Sequence, residues 1–198
     1  MRVNEITGVQ RIKQSHVGVA AKGLGDTDPN NYTKKENAWQ HFVFELEELG
    51  FTKLGRGAYG VVFEKPGYPW VFKVFNNDPG YFTYLNFARN NQNLSAVPRI
   101  KGKFIRINDN TYSVRMEKLY PVNRDELHNL LETLRQFFKT DDPVGYQDQI
   151  DKLNEEYPDI AAVMERLTKL GKFYIDLHSD NIMQRKDGSL VITDPLVS

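Results

Sequence analysis

Apolar and polar positions change rhythm along the chain, and the changes mark its elements. Residues 1 to 36 are polar and rich in Gly and Asn, closing on DTDPNNYTKKEN. They predict an arm without a core of its own. The run ENAWQHFVFELEELG then sets Trp39, Phe42, Val43, Leu46 and Leu49 at helical spacing, with Gly50 placed to cap the helix C-terminus. Its apolar stripe predicts a brace on the unit that follows. Next, FTKLGRGAYGVVFEKPGYPWVFKVF carries β-rich runs around a Pro-Gly turn, which predict a hairpin and a third strand. PGYFTYLNFARN, residues 79–90, predicts a short helix. Residues 97–120 alternate again around Asn108-Asp109-Asn110, predicting a second hairpin from KFIRI and YSVRMEKL.

After Pro121 the period lengthens. Residues 124–139 place Leu127, Leu130, Leu131, Leu134, Phe137 and Phe138 on one helical face. Residues 158–170 predict another helix, with Pro158 in the first turn and Gly171 at the end. Asp141-Asp142 before Pro143 reads as a loop. The chain closes with FYIDLHSDNIMQR, the turn Lys186-Asp187-Gly188, and SLVITDP. A β-rich half joined through residues 117–121 to a helical half is an α+β, two-lobed plan with a cleft between the lobes.

Composition narrows the setting. Among 198 residues, 26 basic side chains balance 26 acidic ones. That balance argues against bulk electrostatic binding to nucleic acid or to an anionic membrane. There are no cysteines, which excludes disulfides and thiolate metal sites and suits a reducing compartment. No signal pattern or run of about 20 apolar residues is present. A cytoplasmic protein is the expectation. His16, His41 and His128 are scattered without metal-ligand spacing.

Two motifs carry chemistry. Gly55-Arg56-Gly57-Ala58-Tyr59-Gly60-Val61-Val62 is a G-x-G-x-x-G turn followed by strand residues, where a dinucleotide site needs a helix. Glycine lets backbone amides approach phosphate oxygens that a side chain would block. Downstream, Lys73 shares a strand face with Val71 and Phe75, and an ammonium in such a place needs a partner such as phosphate. At the other end, Asp176-Leu177-His178-Ser179-Asp180-Asn181 and Ile192-Thr193-Asp194-Pro195 supply carboxylate and amide oxygens. Phosphoryl transfer needs a group beside the attacking hydroxyl, which suits Asp176, and hard oxygen ligands for Mg2+, which suit Asn181 and Asp194.

The order of Gly-rich loop, strand lysine, Asp-x-x-x-x-Asn and a later Asp resembles the protein-kinase-like superfamily. Asp-Leu-His-Ser-Asp-Asn-Ile-Met with Ile-Thr-Asp-Pro most closely resembles the early serine/threonine protein kinases of short-tailed coliphages, which act on host proteins. The resemblance runs from about Gly50 to Ser198. It implies a bracing helix and β-rich N-lobe over residues 37–116, then a hinge and truncated, mainly helical C-lobe over 117–198. Gly55, Gly57, Gly60 and Val62 would cover the nucleotide, and Lys73 would pair with its α/β-phosphates. Met116 would be the gatekeeper, with the backbone of Glu117 and Leu119 meeting the adenine edge. Asp176 would be the catalytic aspartate with His178 two positions on, and Asn181 and Asp194 would hold Mg2+, or Mn2+ in its place. ATP and a protein substrate are the implied partners, with no membrane and no direct nucleic-acid contact.

The chain also departs from that pattern. Between Lys73 and Pro98 it has no glutamate to pair with the lysine, and only Asp78 is acidic. Tyr81, Tyr84 and Asn86 are the side chains there that could substitute by hydrogen bonding. Tyr174-Ile175 stand where His-Arg is usual, Asp194-Pro195 where Asp-Phe-Gly is usual, and no activation segment follows. These departures keep a catalytically weak pseudokinase open as an interaction or inhibitor module. Asp-Leu-His, shared with kinases of the aminoglycoside and choline type, keeps a small-molecule substrate open.

Overall fold

A computed structural model describes residues 46–56, 60–76, 78–108, 111–139, 143–170 and 174–197. The arm over 1–36, and Trp39, Phe42 and Val43 of the bracing stripe, lie outside these residues. The described chain divides into two compact units. One holds the described residues before Asp78 together with Lys101–Met116; the other holds Asp78–Ile100 and the chain from Glu117 onward.

The first unit is a five-stranded antiparallel sheet. Its strands are β1 (Thr52–Arg56), β2 (Gly60–Glu64), β3 (Trp70–Asn76), β4 (Ile105–Asn108) and β5 (Thr111–Glu117), in the order β1-β2-β3-β5-β4. The predicted Pro-Gly turn joins β2 to β3. Tyr68 N–H donates to the Lys65 carbonyl at 3.0 Å, with Gly67 at φ 75°. Proline ahead of a left-handed glycine is the pairing a type II turn requires. The second predicted hairpin is β4–β5.

The brace ends as its sequence predicts. Leu46–Glu48 are helical, Gly50 turns at φ 81°, and Phe51 N–H reaches back to the Leu46 carbonyl at 2.9 Å. A second bond from Gly50 N–H to the Glu47 carbonyl at 2.8 Å completes a Schellman-type end. Leu46 is buried and the Phe51 ring meets Phe72 edge-on at 5.4 Å. Leu49, included in the stripe, is 40% exposed instead; the helix has already closed at that position, so its side chain leaves the buried face.

The second unit carries α1 (Pro79–Asn90), α2 (Arg124–Lys139), α3 (Pro143–Glu156) and α4 (Pro158–Thr168). Short strands complete it: β6 (Tyr120–Pro121), β7 (Tyr174–Ile175), β8 (Ile182–Gln184), β9 (Leu190–Ile192) and β10 (Leu196–Val197). α1 starts where Asp78 accepts the Tyr81 N–H at 3.0 Å and Pro79 opens the first turn. α2 buries Leu130 and Leu134, α3 buries Leu153, and α4 buries Ile160, Val163, Met164 and Leu167. α2 packs on α3, α3 on α4, α4 on β9, and α1 on β10.

Two small ladders shape the C-terminal segment. β6, β8 and β9 form one sheet, and β7 pairs with β10. The predicted Lys186-Asp187-Gly188 turn joins β8 to β9. Gly188 takes φ 86°, and the Asp187 carboxylate accepts from Ser189 N–H at 3.0 Å and from its hydroxyl at 2.7 Å. Those two bonds hold the Asp187 carboxyl below its ordinary pKa.

Candidate functional site

In the sheet unit, three singled-out residues fall in one row across neighbouring strands. Gly55 of β1 is the register partner of Val62 of β2, and Val62 is the partner of Lys73 of β3. Register partners point their side chains to the same face, so Val62 and Lys73 lie side by side there. Both are half-buried, while Val71, Phe72, Val74 and Phe75 around the lysine are buried. Met116 is buried near the end of β5.

The two described glycines of the loop do different work. A Cβ on Gly60 would stand 2.7 Å from the Val74 carbonyl oxygen and 3.2 Å from Phe75 Cβ. Close approach of β2 to β3 therefore demands glycine at 60. A Cβ on Gly55 would meet nothing within 4 Å, so packing does not account for glycine there. Gly57 lies outside the described residues.

In the second unit, hydrogen bonds draw residues 176, 181 and 194 together. Asp176 N–H donates to the Pro195 carbonyl at 2.9 Å. Thr193 N–H donates to the Asn181 carbonyl at 2.8 Å. The Asn181 side-chain amide donates to the Asp176 carbonyl at 2.9 Å. Both chain neighbours of Asp194 are thus bonded to the loop that carries Asp176 and Asn181. That loop tightens into one 3-10 turn, Ser179–Asn181, closed by Asn181 N–H on the His178 carbonyl at 3.0 Å.

The side chains are accessible. Asp176 and His178 are about half-exposed, at 50% and 49%. The His178 Nδ1 accepts the Asp180 N–H at 3.3 Å, which leaves the proton of a neutral imidazole on Nε2. Nε2 stands 3.9 Å from Asp176 Oδ2, too long for a direct hydrogen bond. Because Asn181 spends its amide on Asp176, its Oδ1 remains the acceptor end, and Asp194 adds a carboxylate. Two hard oxygen donors suit Mg2+. Among the described residues no group of three or more His, Asp or Glu could hold a metal alone. The pair can serve Mg2+ only within a shell completed by phosphate oxygens and water.

One feature went unread in the sequence, and a second has a partner other than the one read for it. Glu117, singled out for its backbone, has a carboxylate gripped by Arg185. Nε reaches Oε2 at 2.8 Å and Nη2 reaches Oε1 at 2.7 Å. The same guanidinium donates to the carbonyls of Ser95 at 2.6 Å and Val97 at 2.9 Å, and Arg99 N–H also donates to Glu117 Oε1 at 2.8 Å. Leu119 is half-buried beyond it. The second feature is Tyr84. Its hydroxyl donates to the Ile192 carbonyl at 2.6 Å, while the Asn86 amide donates within α1 to Phe82 at 3.0 Å. Burial, and then the charge of Asp194, push the hydroxyls of Tyr81 and Tyr84 well above the ordinary tyrosine pKa.

A sequence model of the bacteriophage T7 protein kinase 0.7 family matches residues 12–198. The chain belongs to that family. Membership in this phage protein kinase family agrees with the resemblance carried by the motifs, and the α+β arrangement is its kinase-like fold. No curated protein matches the chain. Among solved structures, Rad53 1–466 in complex with AMP-PNP matches with a TM-score of 0.41 and 18% identity. The match covers 83% of this chain and 42% of the other, so the chain spans less than half of that protein's length. Among the described residues, no helix is long and apolar enough to cross a membrane.

Proposed function

We propose that this phage kinase family member is an ATP- and Mg2+-dependent serine/threonine protein kinase acting on host proteins in the cytoplasm. The observation that carries the proposal is the bonding of Thr193 and Pro195 to Asn181 and Asp176. Three residues that are up to 18 positions apart in the sequence are gathered by backbone bonds, and their types are those phosphoryl transfer needs.

On this reading the bond from the γ-phosphorus of ATP to its bridging oxygen breaks as a substrate hydroxyl oxygen bonds to that phosphorus. The hydroxyl proton passes to the Asp176 carboxylate, which also orients the nucleophile. Lys73 offsets charge on the α/β-phosphates, and Gly55, Gly57 and Gly60 let backbone amides cover them beside Val62. Met116 borders the adenine, with backbone groups of Glu117 and Leu119 along its edge. Asn181 and Asp194 would hold Mg2+, which when bound neutralises developing phosphate charge. His178, whose Nδ1 accepts the Asp180 N–H, sets its Nε2 3.9 Å from the Asp176 carboxylate.

One observation favours a weaker catalyst. The helix that usually brings a glutamate to the lysine has none, and its Tyr84 hydroxyl is bonded to Ile192. The experiment is incubation of the purified chain with γ-labelled ATP and host extract, with and without Mg2+, followed by phosphoamino-acid analysis. Mg2+-dependent phosphoserine or phosphothreonine is expected. Label confined to small molecules would transfer the activity to the aminoglycoside and choline class, and no label at all would favour the pseudokinase.

A further inference from the structure

Helix α1 has a use that its missing glutamate leaves open. Beyond the bond from Ile192 N–H to the Ala96 carbonyl at 3.0 Å and the strand pairing of Ile192 with Ile182 and of Leu196 with Ile175, the five residues centred on Asp194 are held at four points. The Ile192 carbonyl accepts the Tyr84 hydroxyl at 2.6 Å. Thr193 N–H is bonded to Asn181, and the Pro195 carbonyl to Asp176. At the fourth point, a Cβ on Gly80 would stand 2.4 Å from the Leu196 carbonyl oxygen. Two of the four points therefore come from the catalytic loop and two from α1, one on each side of Asp194.

The α1 contacts are built rather than incidental. Tyr84 is fully buried, with 0% exposure, and its hydroxyl crosses 108 positions of sequence to reach that carbonyl. Glycine at 80 is the only residue that tolerates a carbonyl so close; any Cβ would force α1 and β10 apart. Gly80 and Tyr84 are spaced i, i+4, so both lie on the same face of the helix. The Asp78 cap and Pro79 fix where that face begins.

We propose that α1 is a permanent brace for Asp194, with Tyr84 and Gly80 as its positioning residues, in the place where a lysine–glutamate ion pair would otherwise set the helix. This rests on Asp194 being a Mg2+ ligand for ATP. A brace of buried hydroxyl and close backbone contact has no charge to gain or lose. The aspartate is held in readiness without a switchable helix.

The test is Tyr84→Phe in the full chain, which removes one oxygen and keeps the ring. Two readouts are taken: calorimetry of ATP binding with and without Mg2+, and amide hydrogen exchange across residues 192–197. The expected result is unchanged ATP affinity without metal, a Mg2+-dependent gain in affinity reduced about fivefold, and exchange at Thr193 and Leu196 about fivefold faster, the worth of one buried hydrogen bond. Gly80→Ala, which displaces Leu196 from the other side, should move both readouts the same way and serves if Tyr84→Phe does not fold. Unchanged exchange with an unchanged Mg2+ gain overturns the brace. So does an equal loss of ATP affinity with and without metal, since that is general loosening. A parent chain whose ATP affinity ignores Mg2+ would instead sink the metal reading under Proposed function, while the exchange comparison still decides whether α1 holds the segment.

Discussion

Single residues separate chemistry from packing most sharply at Gly55 and Gly60. Both belong to one glycine motif, yet only Gly60 has a backbone oxygen 2.7 Å from where a Cβ would go. Gly60→Ala should destabilise the fold by about 1–3 kcal/mol, the usual cost of overpacking. Gly55→Ala should melt with the parent and raise KM for ATP. Thermal melting and steady-state kinetics on both variants check the contrast; equal melting of the two would contradict the register described. Lys73, beside Val62 in the same row, should behave like Gly55. Lys73→Met should melt within a few degrees of the parent and lose at least about 100-fold in transfer, the scale of one lost charge-stabilising contact. A Lys73→Met chain with parental turnover would remove the lysine from the site.

At the scale of elements, the chain from Glu117 to Arg185 shows what periodicity could not reveal. The Glu117 and Arg185 side chains are only 15% and 16% exposed and meet in a bidentate pair. Removing one partner of such a pair leaves the other charge buried, at a cost of about 3–5 kcal/mol. Arg185→Met should lower the melting temperature accordingly, and Arg185→Met with Glu117→Leu should recover much of the loss. Denaturant unfolding of the single and double variants measures this. If the double variant is no more stable than the single one, the pair is not the linkage described. The hairpins β2–β3 and β4–β5, α1, α2 and α4 were legible because alternation, Pro-Gly and Asn-rich turns and apolar stripes are local signals. α3 was not. It carries Gly145 in its first turn, and among its described side chains Leu153 is the deeply buried apolar one; its helical state comes from packing against α2 and α4.

For the whole molecule, the candidate residues were legible as a pattern of residue types and spacing that the proposed phosphoryl transfer would require. Asp176, Asn181 and Asp194 stand out in the sequence by type and spacing. What joins them was not legible: backbone bonds from Thr193 and Asp176, and the Tyr84 hydroxyl on Ile192, leave no spacing rule in a sequence. The same holds for Arg185, whose partners Glu117, Val97 and Ser95 lie 68 to 90 positions away. Around Asp194, α1 contributes Tyr84, bonded to the Ile192 carbonyl, and Gly80, set close against Leu196. Whether this arrangement transfers phosphate is the central property of the molecule to measure.

Asp176→Asn tests that most directly. The substitution keeps size and the backbone bond to Pro195, and it removes the charge. Melting, Mg2+-dependent ATP binding and phosphoryl transfer should be measured on one preparation. The predicted protein melts with the parent, binds ATP with Mg2+ as before, and loses about two to four orders of magnitude in transfer, the usual worth of a positioned acid–base group. A folded, nucleotide-binding Asp176→Asn chain that transfers phosphate at the parental rate would contradict the account.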